Sequence, residues 1–113
     1  MAQNRNKLIE LFISNLANSI VHEILERAID REEIADKYRK EIKNSFEVSK
    51  TYRNKINPIN SPLPAGDSLF IKNRIKKRVE RELNLRISKG YKNIDLSLVD
   101  KEIEGYLKKL EVL

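Results

Sequence analysis

The chain contains no cysteine and no tryptophan, one histidine, three glycines and three prolines in 113 residues. Each shortage closes a class of explanation. Without cysteine there is no disulfide framework, thiolate zinc site, iron–sulfur cluster or thiol nucleophile, and the absence fits a reducing compartment. Gly66, Gly90 and Gly105 are widely separated, so there is no glycine-rich phosphate loop and no Gly-x-Ser-x-Gly elbow. His22 has Glu23 beside it and Glu26 one turn on, but neither His-Glu-x-x-His nor Glu-x-x-His occurs. Carboxylates are plentiful. They interleave with Lys and Arg at the i, i+4 spacing of a solvated helix surface, and no pair stands out for acid–base work. The expectation is a non-enzyme with no catalytic residues, no metal site and no cofactor.

Long apolar runs are missing as well. The longest in the first apolar segment is Leu11-Phe12-Ile13, against the roughly 18 residues of a membrane-spanning stretch. Arg5 and Lys7 precede that segment as in a signal peptide. Glu10, Asn15 and Asn18 interrupt it, however, and no small-residue cleavage site follows. A cytoplasmic protein without membrane contact is expected.

Hydrophobic residues make up 40% of the chain and charged residues 35%, too apolar for disorder and more charged than an average globular domain. The length suits one domain, residues 1–113, with a modest core. Ile9, Ile13, Leu16, Ile20, Ile24 and Ala28 recur at helical steps, and Leu8, Phe12, Val21 and Leu25 widen the stripe around most of the circumference. Such a helix is buried on several sides, as the central helix of the domain, as a dimer interface, or as both, and a homodimer with this helix at or near the interface is expected.

Asp30 and Glu33 have capping-box spacing and Ile29 and Ile34 the staple positions, so a turn is expected near residue 30. A second stripe then reads Ile34, Tyr38, Ile42, Phe46, Ser49, Tyr52, Ile56. A competing reading keeps one helix of some fifty residues in a coiled coil, since no Gly or Pro lies between Ala2 and Asn57. Its seam would hold Arg31, Ser45 and Ser49, and the cap and staple favour the turn. Asn57-Pro58 ends the helix. Pro58, Pro62 and Pro64 stiffen a strap over residues 58–67. Asp67 or Ser68 is the expected cap of a third helix with core stripe Ile71, Ile75, Val79, Leu83, Ile87, closed by Gly90. Ile94, Leu96 and Leu98 alternate as in a short strand, but Ser97 and Asp100 have the spacing of another capping box, ahead of a fourth helix from about Leu98 to Leu110. The expected fold is all-α and four-helix bundle-like: a long helical hairpin (1–57), the strap, then two shorter helices within 68–113, the first basic and the second C-terminal.

Charge is distributed unevenly. Residues 1–71 carry a net +1, residues 72–92 +7 and residues 93–113 −2. Arg74, Lys77, Arg78 and Arg81 share one stripe of the third helix, opposite its apolar face. Clustered cations attract polyanions, and the arginine fork matches phosphate geometry. The leading expectation is a non-catalytic nucleic-acid-associated protein that holds the phosphate backbone of DNA or RNA through these four residues. The alternatives are an ordinary solvated or ion-paired face, and an assembly subunit in which the first helix makes the contact.

Overall fold

The computed structural model describes residues 5–29, 31–56 and 63–112. Among these residues the chain is all-α, with α1 (Arg5–Arg27), α2 (Glu32–Ile56), α3 (Ala65–Ser88) and α4 (Val99–Lys109). A single 3-10 turn, Leu96–Leu98, precedes α4, and the described residues contain no strand. The helical path breaks between Arg27 and Glu32; Asp30, on which the cap was read, lies outside the described residues.

α1 is the axis around which the rest is packed. Leu8, Phe12, Ile13, Leu16, Ile20, Ile24 and Leu25 are all buried. α2 returns antiparallel along it: Glu26 meets Arg39, His22 meets Glu41 and Ser19 meets Ser45. α4 also runs antiparallel to α1, joined by Arg27–Glu102 at 3.0 Å and by the Tyr106 hydroxyl donating to Glu23 at 3.3 Å. α3 runs parallel to α1, with Arg5 on Asp67 and Glu10 on Arg74. Its stripe Ile71, Ile75, Val79, Leu83 is fully buried, whereas Ile87, expected to continue it, is exposed. The apolar circumference of α1 is therefore covered by three helices of its own chain.

The same helix bears on the expectation that no segment can span a membrane. An 18-residue window of α1 reaches a mean hydropathy of 1.3, enough by length and composition to cross a membrane. Polar residues break its runs without lowering the average far. Most of that window, 67%, is buried inside the protein.

The α1–α2 seam is small and polar. Ala35, Ser45, Ser49 and Arg53 are the side chains of α2 that are buried with Ile56, while Tyr38, Phe46 and Tyr52 are half-buried at the edges. Ser19 and Ser45 share a 2.6 Å hydrogen bond, and Ser45 and Ser49 donate to carbonyls one turn back, Glu41 and Ser45. Serine lets the two backbones approach while its hydroxyl stays satisfied, as a buried polar group requires.

Arg53 is the largest buried side chain of this seam. Its guanidinium donates to the carbonyls of Leu110 (2.9 Å) and Glu111 (3.0 Å), and Ser68 Oγ donates to the Val112 carbonyl at 2.7 Å. These groups clamp the C-terminal end of α4, where carbonyls lack helical partners and the helix dipole favours a cation. Burial pulls the Arg53 pKa below its ordinary value, against the pull of Glu111. Glu111 sits at φ +56, a conformation that costs a non-glycine residue about 1 kcal/mol. It closes a Schellman turn in which the Val112 amide donates to Leu107 and the Glu111 amide to Lys108. At the end of α3 the same turn is made by Gly90, at φ +97, with the Tyr91 amide on Arg86 and the Gly90 amide on Ile87.

Two caps differ from expectation. α3 begins at Ala65 with Pro64 as its N-cap, so neither Asp67 nor Ser68 caps it; they serve Arg5 and Val112 instead. Proline there fixes φ at −54, and its carbonyl accepts the first helical bond from the Ser68 amide. With that early start α3 has 24 residues, against 23 in α1, so it is not a shorter helix. Of the strap, residues 58–62 lie outside the described residues, and Leu63 is buried. α4 has Leu98 at its N-cap with no side-chain cap bond, so Ser97 does not cap it; Asp95 caps the 3-10 turn before it, its carboxylate accepting from the Ser97 hydroxyl (2.6 Å) and amide (3.0 Å), which hold its pKa below the usual value.

Candidate nucleic-acid interface

Because Ile71, Ile75, Val79 and Leu83 point inward, α3 has two solvent-facing flanks, one beside α4 and one beside α1. Both are cationic, and their surroundings differ. On the α4 flank Lys76 pairs with Asp100 at 3.0 Å and Lys72 with Glu104 at 3.7 Å. Asp100 raises the Lys76 pKa above its ordinary value. Asp100 and Glu104 of α4 thus neutralise Lys76 and Lys72 on this flank.

On the α1 flank Arg74, Lys77, Arg78 and Arg81 are all exposed, and they line one side of a groove of about 240 Å³ whose other side is Glu10 and Ile13. All four expected residues come together. Arg74 is held by Glu10 at 3.3 Å. Lys77, Arg78 and Arg81 have no carboxylate within ion-pair distance among the described residues. The groove continues toward the far end of α3 between Ser14, Asn15, Asn18 and Val21 of α1 and Arg78, Glu82 and Arg86 of α3, with a further 290 Å³. There Arg86 is tied to Glu82 at 3.2 Å.

Toward the start of α3 the trough opens to about 540 Å³ between Asn6, Ile9 and Glu10 and the Asp67 and Phe70 side chains. Phe70 is 47% exposed, and the Arg74 guanidinium lies over its ring at 5.7 Å. From Arg74 to Arg81 a helix rises by about 10 Å, so the cations form a short rail and not an isolated point charge.

Sequence reasoning missed the opposite wall. Ser14 and Asn18 are four residues apart on α1, with Asn15 beside them, where they interrupt an otherwise apolar helix. That interruption was the available signal that one face of α1 reaches solvent. Asn15 itself donates to the Leu11 carbonyl at 2.8 Å.

His22 takes no part in this groove. It is buried, stacked on Tyr38 (5.4 Å between centroids), and its Nε2 meets Glu41 at 2.9 Å across the hairpin. Its Nδ1 is buried with no hydrogen-bond partner among the described residues. Burial holds the imidazole below its ordinary pKa of 6.5, against the pull of Glu41. No group of three or more His, Asp or Glu side chains able to hold a metal ion occurs among the described residues.

No protein-family model, curated protein or solved structure matches this chain, so the reading of the groove rests on its own residues.

Proposed function

We propose that the protein is a non-catalytic nucleic-acid-binding module, and that Arg74, Lys77, Arg78 and Arg81 hold the phosphate backbone of its ligand. In this reading the helical hairpin, the strap and the last two helices form one bundle whose role is to present that rail. One observation carries it: Lys77, Arg78 and Arg81 have no acidic partner among the described residues, while Lys72, Lys76 and Arg86 on the same helix each have one. Like charges three and four residues apart destabilise a helix by about 0.2–0.5 kcal/mol per pair. Arg74–Arg78, Lys77–Arg81, Arg74–Lys77 and Arg78–Arg81 are four such pairs, against two of opposite sign, Lys77–Glu80 and Arg78–Glu82, so the cluster keeps a net repulsion without contributing to the core. A polyanion offsets that cost on binding, and the guanidinium fork gives it two parallel donors per phosphate.

The test is a fluorescence anisotropy titration of labelled duplex DNA and structured RNA over a salt series. Four phosphate contacts give a slope of log affinity on log salt of about −4, or on the order of a hundredfold loss between 50 and 200 mM salt. Changing all four residues to Glu should abolish binding and leave the helical circular dichroism signal intact. Absence of binding by the unaltered protein at low salt overturns the proposal.

A second reading, an assembly subunit, draws on a different feature. Leu85, Ile87, Tyr91 and Leu96, at the end of α3 and its exit, are each about two-fifths or more exposed. Under that reading the homodimer forms through this end of the molecule and not through α1. Light scattering separates the two: a dimer has twice the 13.3 kDa chain mass, and Leu85→Glu with Leu96→Glu returns it to the monomer.

A further inference from the structure

Resting on the reading of the α3 rail as a phosphate-binding face, we propose that the trough beyond Arg74 is a stacking site for one unpaired nucleobase, and that the ligand is a nucleic acid with a single-stranded end. The argument begins with where the positive charge stops. Arg74 is the last cation of the rail, and the side chains that line the trough past it, Asn6, Ile9, Glu10, Asp67 and Phe70, include none. The two carboxylates are already engaged, Glu10 by Arg74 and Asp67 by Arg5, so the lining offers a phosphate no cationic partner. An uncharged group suits the space beyond.

The space suits such a group. Its apolar surface comes from Ile9 and from Phe70, a residue left 47% exposed although an aromatic side chain gains much from burial. The volume, about 540 Å³, is more than twice that of the groove beside the rail and ample for a base with its sugar. One face of the ring is covered by the Arg74 guanidinium, and the other can bind any base by stacking. Phe70 and Arg74 are one helical turn apart, a rise of about 6 Å, so a base on the ring and its phosphate on the guanidinium fit a single nucleotide. Glu10 and Asp67 at the rim are acceptors. They favour bases that carry an exocyclic amino donor, as carboxylates do when they accept from cytosine N4. The base must be unpaired, because its face and its edge are both used.

The experiment uses the full chain and three labelled hairpins, made in DNA and in RNA: blunt-ended, with a three-nucleotide overhang of cytosines, and with the same overhang lacking its bases. The abasic overhang keeps the phosphates and removes only what should stack. The unaltered protein is expected to bind the base-bearing overhang about tenfold more tightly than either other probe, within the range for loss of one stacked base. Phe70→Ala should erase that preference while its affinity for the blunt hairpin stays unchanged, and Phe70→Tyr should retain it. Equal affinity for the base-bearing and abasic overhangs overturns this inference and leaves the phosphate rail standing. Failure to bind any of the probes at low salt overturns the rail, and this inference with it.

Discussion

α1 has two long neighbours and meets them differently. Against α2 the polar groups turn inward and are used by the fold: Ser19 and Ser45 bond each other, Ser49 bonds its own backbone, and Arg53 holds the end of α4. Against α3 the contact is hydrocarbon, Ile71, Ile75, Val79 and Leu83, and the polar groups turn outward to the rim of a groove. Arginine appears on both sides. Arg53 is buried and bound to carbonyls, whereas Arg78 and Arg81 are exposed and meet no carboxylate among the described residues. The contrast separates charge that builds the structure from charge that the structure leaves available, and it makes opposite demands of substitutions on the two sides.

The largest effect is expected on the inward side. Arg53→Met removes the donors to Leu110 and Glu111 while keeping much of the side-chain volume. It should cost about 3 kcal/mol in a urea denaturation, since buried carbonyls are left unsatisfied. A loss below about 1 kcal/mol would show that the clamp is incidental. Ser49→Leu sharpens the same point. Ser49 is fully buried where the helices approach, and the larger side chain should cost about 2 kcal/mol by overpacking, against about 1 for Ser49→Ala. On the outward side, replacing Lys77 or Arg81 with Gln should leave the urea midpoint within about 0.5 kcal/mol of the unaltered protein.

His22 adds a pH dependence to the inward side. Its pKa in the fold lies below the 6.5 of the unfolded chain, because burial disfavours the charged ring more than Glu41 favours it, and Arg86 also opposes protonation. Below about pH 6.5 the unfolded state then binds more protons than the folded one, so stability falls on acidification and is constant with respect to this group above that pH. Urea midpoints at pH 7.5 and 5.5 should differ more for the unaltered protein than for His22→Gln; an identical difference would remove His22 from the account. The smallest effect belongs to Glu10, which occupies Arg74 in the groove. Glu10→Gln frees that guanidinium and should strengthen nucleic-acid binding about threefold, the scale of an exposed ion pair.

Periodicity carried much of the fold. The breadth of the α1 stripe marked it as the central helix, and Gly90 and the inward stripe of α3 up to Leu83 were readable because one glycine and one repeat of hydrophobes determine them. The seam of α2 was not readable in the same way. Of its apolar stripe Ile56 is buried but Tyr38, Phe46 and Tyr52 are only half-buried, and the other buried side chains are Ala35, two serines and an arginine. Hydrophobicity cannot distinguish such a seam from surface, because what buries it is a hydrogen-bond partner supplied by another helix. The α3 rail was legible as a charge cluster, since four cations stand on one face of one helix. Its separation from Lys72 and Lys76 was not legible, because that depends on which flank α4 packs against. The apolar end of the groove also required the parallel alignment of α1 and α3, which brings Ile9 beside Phe70.

One measurement addresses the contrast between the flanks of α3 directly. Two variants remove equal charge: Arg74, Lys77, Arg78 and Arg81 to Gln in one, Lys72, Lys76, Lys101 and Lys108 to Gln in the other. Both have the same formal net charge, and the ion pairs broken in the second are exposed ones of small energetic weight. In a salt-series anisotropy titration the first variant should lose on the order of a hundredfold in affinity at low salt, and its salt slope should flatten by about 4. The second should lose less than about fivefold, through the weaker long-range field alone. Equal losses in the two variants would contradict the account, because they would make binding a property of total charge and not of the rail.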